Sequence, residues 1–496
     1  MKKYRLINNI SGWAVFLVAA FTYLMTIEPT ASLWDCGEFI ASCFKLEVGH
    51  PPGNPVFMVM GRFFTLFAGA NVSKVAALVN AMSGLASAFT ILFLFWTITH
   101  LARKILIKNE NDFNSGRVIA VMAAGIAGSL AYTFSDSFWF SAVEGEVYAS
   151  SSLFTALVFW AILKWEDIAE ERYADRWIIL IAFLMGLSIG VHLLNLLAIP
   201  AIVLVYYFKK FEFSWKGFSI SLTTSIILLA LLMYGIMPGV VIISSKFDWF
   251  FVNTFGLPSN SGMVFHVILI AILFIFAVKF SFSSADRVKT GILAIAALFF
   301  TGIWIVSDSA ILNILLLLII SGSIWFMAGK SRTTLNTLLT AIMVILIGYS
   351  ANAIIVIRSS ANTPLNENNP SNPFNLLYFL NREQYGARPL FNGPYYNAPV
   401  TDYKDGKPKY ALENGKYIIT GHNLERIYDP RFVTLFPRMW SDQNDHQEVY
   451  QEWGRVKGIP IQVTEQSGEK KVLKKPTFRE NLRFMFSYQF GYMYFR

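Results

Sequence analysis

The sequence predicts a polytopic α-helical membrane protein, followed by an extracytoplasmic C-terminal region of mixed α/β or irregular structure. Three observations support this fold class. Of the 496 residues, 55% are hydrophobic and only 15% are charged, and the mean hydropathy is +0.48. Many apolar runs reach the roughly 20 residues that a helix needs to cross a bilayer. After Ile357 these runs stop, and Asn, Pro, Gly and Tyr become frequent.

The length criterion predicts about eleven transmembrane helices. Lys2, Lys3 and Arg5 precede the first apolar run, which lacks a clear cleavage site, so an uncleaved helix with a cytoplasmic N-terminus is expected. The predicted spans are 10–27, 75–101, 118–134, 147–164, 177–191, 193–208, 218–237, 263–280, 290–306, 310–328 and 335–357.

Basic residues indicate the orientation of these spans. The run 56–70 is short and contains Arg62, so an interfacial or re-entrant segment is predicted there. With that assignment, the positive-inside rule places five Lys- and Arg-bearing loops in the cytoplasm: 103–117, 164–176, 209–216, 279–289 and 330–332.

The predicted orientation gives two domains. Residues 1–357 form a membrane domain, and an odd number of crossings places residues 358–496 outside. Within this second domain, 416–420 and 459–464 are predicted strands, while 392–394 and 405–408 carry turn residues. The aromatic and basic end, 481–496, suits the membrane interface. The scheme corresponds to a bacterial inner membrane with a periplasmic C-terminal region.

Composition and motifs exclude several classes of protein. The net charge is +9, but Lys and Arg lie in short loops, so nucleic acid is not an expected partner. Cys36 and Cys43 on one helix would lie about 10 Å apart, too far for a disulfide. No zinc-binding, phosphate-loop or Ser-His-Asp pattern is visible. No cofactor is expected, and no motif supports a divalent metal.

The first external segment, 29–55, carries the most concentrated set of chemically active side chains. Helical geometry over 33–46 would make Asp35 and Glu38 neighbours on one face. Two carboxylates this close disfavour joint ionisation, which favours a proton-transfer role. Partial burial and Glu38 are expected to strengthen Asp35 as a base. Alternatively, Asp35 is a helix N-cap and Glu38 is its capping-box partner.

Three further carboxylates, Asp136, Glu144 and Glu146, are predicted at the same membrane face as Asp35. Carboxylates converging from separate loops suit a metal, sugar hydroxyls or a proton. The alternative is that they cap the helix that starts near Val147.

Cationic groups near that face suit a lipid phosphate, for which Arg supplies a bidentate fork. The alternatives are a helix-end role for His192 and snorkelling for the arginines. The candidates are His50, Arg62, His192, Lys246 and Arg358.

Several motifs together resemble the GT-C membrane glycosyltransferases. They are WDCGEF at 34–39, GHPPGNP at 49–55, AVEGEVY at 142–148, GVHLLN at 190–195, and RSSAN with NENNP within 358–370. Within that group, they more closely resemble a bacterial family of unknown function that is related to the transmembrane protein O-mannosyltransferases.

This resemblance implies a GT-C fold and a glycosyltransferase. A sugar, mannose or similar, would move with inversion from a polyprenyl-phosphate donor to a hydroxyl of an exported protein. The resemblance makes Asp35 the general base, with Glu38 also catalytic, although those mannosyltransferases place their Asp and Glu adjacently. The substrate-binding candidates are His50, Asn54, Arg62, Glu144, Glu146, Tyr148, His192, Asn195 and Arg358.

Membrane lipids and further membrane or extracytoplasmic subunits are the other expected partners. Two other functional classes are compatible with the sequence. A lipid or sugar transporter would be expected to show internal repeat symmetry. A non-enzymatic subunit of a secretion or surface-assembly complex would need no acidic cluster. The discriminating observation is whether the carboxylates of segments 29–55 and 142–148 converge with His50 in one outward cavity beside a lipid groove.

Overall fold

The structure, a computed structural model, describes residues 2–108, 113–283, 286–386, 388–464 and 470–495. It divides into two units, Met1–Arg382 and Glu383–Arg496. The first unit thus extends past Ile357, after which the composition changes.

The first unit is helical because apolar runs alternate with capping residues. Asn114, Asp286 and Ser309 each accept a hydrogen bond from a backbone N–H of the helix that follows. The helices are α1 (Lys2–Met25), α2 (Cys36–Lys45), α3 (Pro55–Thr65), α4 (Val75–Leu106), α5 (Ser115–Thr133), α6 (Asp136–Ala142), α7 (Val147–Ile168), α8 (Asp175–Ile189), α9 (Ile199–Lys210), α10 (Trp215–Ala230), α11 (Met237–Phe255), α12 (Ser261–Ser283), α13 (Arg287–Phe300), α14 (Ala310–Lys330), α15 (Arg332–Tyr349), α16 (Ala353–Ser360) and α17 (Pro373–Leu380).

Nine helical segments within the described residues are long and apolar enough to cross a membrane. The polytopic helical class is therefore confirmed. Two predicted spans form the shorter helices α8 and α13, of 15 and 14 residues, so the count of eleven stays a prediction. The segment Pro55–Ala68 is also too short to be among the nine, in agreement with the interfacial assignment.

The predicted end of the span 218–237 is wrong. A π-helical turn, Leu231–Ile236, joins α10 to α11, and the helical segment continues from Trp215 to Phe255. Pro238 lies in the first turn of α11, where its missing N–H is tolerated. The proline therefore does not end the helix, and apolar length alone misplaces the boundary.

Helix α8 packs closely against α15 despite its short length. A Cβ atom built on Gly186 would lie 2.4 Å from the carbonyl oxygen of Ile345, and one on Gly348 would lie 2.4 Å from the backbone nitrogen of Leu187. Small residues let the backbones of membrane helices approach in this way. The contact fixes α8 within the bundle.

Gly186→Ala is expected to destabilise the first unit by about 1–3 kcal/mol, because the added methyl group meets backbone atoms that cannot rotate away. Thermal unfolding of the detergent-solubilised full chain measures this effect. Gly322→Ala in α14 is the matched control, since its Cβ would meet nothing within 4 Å. Equal melting temperatures for Gly186→Ala and the unmodified protein would contradict the close packing.

The second unit contains three two-stranded antiparallel sheets, formed by β1 with β4, β2 with β3, and β5 with β6. Asn414 and Gly415 join β2 to β3 with φ values of 50° and 75°, which suits a tight hairpin turn. The elements are β1 (Asn392–Pro394), β2 (Val400–Glu413), β3 (Lys416–Tyr428), β4 (Val433–Leu435), α18 (Asn444–Gly454), β5 (Ile459–Thr464), β6 (Lys470–Lys475) and α19 (Phe478–Phe484).

The strands predicted at 416–420 and 459–464 are confirmed as parts of β3 and β5. The two turn predictions are wrong. Residues 392–394 form β1, and 405–408 lie inside β2, where the register shifts between Asp405 and Pro408. Gly and Pro there mark an irregularity in a strand, not a reversal of the chain. A π-helical segment, Met485–Tyr494, ends the described chain; Arg496 lies outside it.

The orientation in the membrane can be tested with reporter fusions. A fusion after Lys108 is expected to report the cytoplasm, and one after Asp405 the opposite compartment, because basic loops are retained inside. Compartment-specific phosphatase and fluorescence reporters in intact cells measure this. The same compartment for both fusions would overturn the predicted scheme.

Candidate functional site

Apolar packing holds the first external segment against the bundle. Phe39 and Ile40 on α2 are buried in one cluster with Phe57 and Met58 on α3 and with Val79 on α4. This packing fixes α2, so the side chains at its first turn have defined positions.

Cys36 and Cys43 are both free and buried on α2. The exclusion of a disulfide between them is confirmed.

Glu38 and His50 form a close pair. One oxygen of Glu38, Oε1, accepts from the His50 backbone N–H at 2.6 Å and lies 2.9 Å from the ring Nδ1. Gly49 makes room for this oxygen, because a Cβ there would lie only 2.3 Å from it. The sequence spacing therefore brings a helix carboxylate onto the proline-rich turn.

The pair sets the charge of both residues. Burial raises the pKa of Glu38, but its hydrogen bonds and charge contact with His50 outweigh burial and leave that pKa below its usual value. The hydrogen bond to Glu38 raises the pKa of His50 above its usual value, against the effect of burial. Both shifts favour a charged pair near neutral pH.

Asp35 occupies the N-cap position of α2, but its side chain makes no capping hydrogen bond. Its Oδ2 lies 3.9 Å from Nε2 of His50, and 59% of the side chain is exposed. The alternative capping box is therefore wrong, because the Glu38 carboxylate turns to His50 instead. The expected partial burial of Asp35 is also wrong: the first turn of α2 leaves this carboxylate accessible.

Glu144 and Glu146 lie in the tight connection between α6 and α7 and are 5% and 6% exposed. Glu146 caps α7, since its Oε2 accepts from the Val147 N–H at 3.2 Å. The capping alternative therefore holds for Glu146. Within the described structure, Oε2 of Glu144 is buried without a hydrogen-bond partner.

Electrostatics show that these carboxylates surround the start of α2. Burial, with smaller contributions from the charges of Asp35 and Glu144, raises the pKa of Glu146 to about 7. Burial likewise raises the pKa of the Cys36 thiol to about 12, with contributions from Glu144, Glu146 and Asp35. The two predicted carboxylate groups therefore converge, although the outward cavity and lipid groove stay predictions.

Asn80 on α4 explains why the two loops meet. Its Nδ2 donates to the carbonyl oxygens of Glu28 and Thr30, while the Glu28 N–H donates to the Val143 carbonyl at 3.0 Å. Gly145 packs beside it, since a Cβ there would lie 2.9 Å from Oδ1 of Asn80. One polar residue inside an apolar helix thus ties the carboxylate loop to the first external segment.

Glu367 is a site neighbour that was not among the predicted site residues. The Val48 N–H donates to the Leu365 carbonyl and the Glu367 N–H donates to the Val48 carbonyl, each at 3.0 Å. The charge of Glu367 contributes to the raised pKa of His50. Its motif, NENNP, was a signal, but only the fold shows that it lies beside residues some 320 positions earlier.

Arg62 and Arg358 do not join the carboxylates. Arg62 donates to the Phe44 carbonyl, and Arg358 donates to the carbonyls of Leu46 and Lys45 at 2.6 and 3.0 Å. Cations suit the C-terminal end of a helix. Because α2 has ten residues, this end lies about 15 Å from Asp35. The two arginines therefore fix the far end of α2.

His192 and Asn195 belong to a 3-10 turn, Leu193–Ala198, and its cap. The His192 Nδ1 accepts from the Leu194 N–H at 3.2 Å, so the helix-end alternative holds for this residue. Burial lowers the pKa of His192, as does the charge of Arg382. Asn195 is fully buried and accepts from hydroxyls on α7, those of Ser151 and Thr155.

Tyr148 lies beside His192, and Asn54 lies at the start of α3. The Tyr148 ring lies 5.5 Å from that of His192 and is 48% exposed. Asn54 is buried at the start of α3, with its Oδ1 unpartnered in the described structure. The Val56 N–H donates to the Gly190 carbonyl at 2.8 Å, which joins the motif at 190–195 to the proline-rich turn. Substrate contacts for Tyr148, Asn54 and Asn195 stay predictions.

Among the described residues, no group of three or more His, Cys, Asp and Glu side chains is arranged to hold a metal ion.

Comparison with known proteins adds independent findings. The family model "Protein O-mannosyl-transferase TMEM260 N-terminal domain" matches residues 35–215. A "Family of unknown function (DUF8416)" matches residues 386–486. No solved structure matches the chain.

Two curated relatives each match part of the chain. "Protein O-mannosyl-transferase tmem260" of Dictyostelium discoideum is 25% identical over 203 residues, which cover 39% of this chain and 22% of the relative. "Protein O-mannosyl-transferase TMEM260" of Mus musculus is 27% identical over 177 residues, which cover 36% of this chain and 22% of the relative. The matched segment begins at Asp35 in the family model and includes Glu38, His50, Glu144 and Glu146. The chain is therefore related to the O-mannosyltransferase-like membrane glycosyltransferases.

Proposed function

We propose that this protein is a membrane glycosyltransferase that moves a sugar, mannose or similar, from a polyprenyl-phosphate donor to a Ser or Thr hydroxyl of an exported protein, with inversion. One observation carries the proposal. Asp35, Glu38, His50, Glu144 and Glu146 converge at the start of α2, within the segment that matches the O-mannosyl-transferase family model.

The proposed step uses an accessible base. Asp35 is the most exposed of the five groups, so an acceptor hydroxyl can approach it. Its carboxylate takes the hydroxyl proton while the hydroxyl oxygen bonds to the anomeric carbon. The bond from that carbon to the phosphate oxygen breaks, and polyprenyl phosphate leaves from the opposite face of the sugar. A general base placed within hydrogen-bond reach typically contributes about 10²- to 10⁴-fold in rate.

His50 is the cation nearest to the proposed base. It lies beside Asp35, and Glu38 raises its pKa and so favours its charged form. Arg62 and Arg358 already bind the carbonyls at the other end of α2, and burial disfavours a charge on His192. Because the leaving phosphate departs on the side of the sugar away from Asp35, the charge of His50 acts through Asp35: it favours the ionised carboxylate that accepts the proton.

A reconstituted reaction tests the function. The purified full chain in liposomes is supplied with polyprenyl-phosphate mannose and a Ser/Thr-containing peptide, and mass spectrometry measures the glycopeptide. Transfer is expected with the lipid donor, with an anomeric configuration opposite to that of the donor. Because the proposed step uses protein groups alone, a chelator is expected to leave the rate unchanged. Transfer from a nucleotide sugar without any lipid would refute the donor assignment.

A further inference from the structure

A second charged cleft lies at the other end of the bundle. Its volume is about 390 Å³. The residues that line it come from the start of α1, the ends of α4 and α7, and the start of α8. The carboxylates lie where α7 starts, and the 22 residues of α7 span about 33 Å. That length matches the hydrocarbon thickness of a bilayer. The cleft and the proposed catalytic site therefore belong to opposite membrane faces.

Positive charge is in excess in the cleft. The basic residues lining it are Arg5, Arg103, Lys164 and Arg176, while the acidic ones are Asp167 and Glu171. Arg103 binds Asp167 at 3.0 Å. In the part of the chain that the structure describes, Arg5, Lys164 and Arg176 form no ion pair with a carboxylate and are exposed. The cleft thus offers three cations to an anion from outside the protein.

Aromatic side chains give the cleft the character of a membrane interface. The rings of Trp160 and Trp177 both line it and meet edge to face at 5.9 Å. The Lys164 ammonium lies 5.4 Å from the Trp160 ring centroid. Tryptophan is favoured at the level of lipid headgroups, and basic groups at that level attract anionic lipids.

We propose that this cleft binds the phosphate headgroup of an anionic phospholipid from the leaflet opposite the catalytic site. Lys164 and Arg176 supply the positive charge, and the indoles of Trp160 and Trp177 pack beside the glycerol region. A lipid fits better than a soluble phosphate, because the cations and indoles share one cleft at headgroup height. This inference does not depend on the proposed transferase activity.

Native mass spectrometry of the full chain in detergent tests the proposal by titration with phosphatidylglycerol and, separately, phosphatidylcholine. Lys164→Gln/Arg176→Gln is expected to weaken binding of phosphatidylglycerol by about tenfold or more, since each basic group near a membrane surface contributes about 1 kcal/mol. Arg176→Gln alone should give an intermediate loss. Lys216→Gln/Lys330→Gln is the matched control, because these exposed lysines lie at the ends of α10 and α14 on the same predicted face and do not line the cleft.

Three outcomes would overturn the proposal. The first is equal binding of phosphatidylglycerol by the cleft variant and the unmodified protein. The second is equal binding of phosphatidylcholine and phosphatidylglycerol by the unmodified protein. The third is displacement of the lipid by millimolar glycerol phosphate, which would show that the cleft takes a soluble phosphate. Thermal unfolding without added lipid confirms that each variant is folded.

Discussion

Asp35→Asn is expected to lower glycosyl transfer by about 10²- to 10⁴-fold, the usual cost of losing a general base. The change keeps the shape of the side chain and removes its ability to accept the acceptor proton. Asparagine is as good an N-cap as aspartate, and the Asp35 side chain makes no capping bond. The folded state should therefore keep its stability, and thermal unfolding alongside the transfer assay separates catalysis from folding.

Asp136→Asn is the matched control for Asp35→Asn. Asp136 is an exposed aspartate in the first turn of another short helix, α6, so its replacement tests the loss of a carboxylate at a helix start without touching the site. Its transfer rate should stay within about twofold, as is usual for an exposed position away from special features. Near-normal transfer by Asp35→Asn would move the base to Glu146, Glu144 or Glu38. Glu146 would then be favoured, because its pKa of about 7 suits proton exchange at neutral pH.

Much of the membrane fold follows from the sequence because long apolar runs leave a chain few alternatives in a bilayer. The ends of helices and strands are harder to predict at Pro and Gly, because these residues can either end an element or lie within it. Pro238 lies inside a continuous helical segment, and Gly406 lies inside a strand. In both cases the surrounding structure accommodates the residue, which hydropathy and turn signals do not reveal.

The membership of the site was also partly predictable. Asp35, Glu38 and His50 lie close together in the sequence, so their proximity follows from one short helix and one turn. Glu144 is brought close because Asn80 donates to the carbonyls of Glu28 and Thr30, and the Glu28 N–H in turn donates to the Val143 carbonyl. Glu367 arrives through backbone pairing with Val48. Such long-range backbone contacts carry no periodic signal in the sequence.

Two arginines were predicted near a lipid phosphate, but the structure places them away from the carboxylates. Arg62 and Arg358 are the right residue type for binding a phosphate, but they donate to carbonyl oxygens at the C-terminal end of α2. Those carbonyls attract cations for the same electrostatic reason that phosphate does. Residue type therefore indicated a preference for negative charge, while only the structure shows which negative group satisfies it.

Glu38→Gln is expected to make glycosyl transfer depend on pH in a new way. The hydrogen bond from His50 to Glu38 raises the pKa of His50, so the unmodified enzyme keeps His50 charged to a higher pH than an isolated histidine. Without that carboxylate, burial remains and lowers the pKa of His50. Since the charged form is lost as pH rises through the pKa, the alkaline fall in activity should move to lower pH. The loss of activity is therefore expected to be largest at pH values where only the unmodified enzyme keeps His50 charged.

The pH profile distinguishes this role from that of Asp35. Activity of Glu38→Gln should recover as pH is lowered, because His50 regains its proton, whereas the loss in Asp35→Asn should persist at every pH at which the enzyme is folded. Glu367→Gln is the graded control: Glu367 acts on His50 only through its charge and contributes less than Glu38, so its profile should move in the same direction by less. The measurement is kcat/KM for polyprenyl-phosphate mannose between pH 5.5 and 9. An unshifted alkaline limb in Glu38→Gln would show that the charge of His50 plays no part in transfer and would leave Glu38 as a structural anchor of the proline-rich turn.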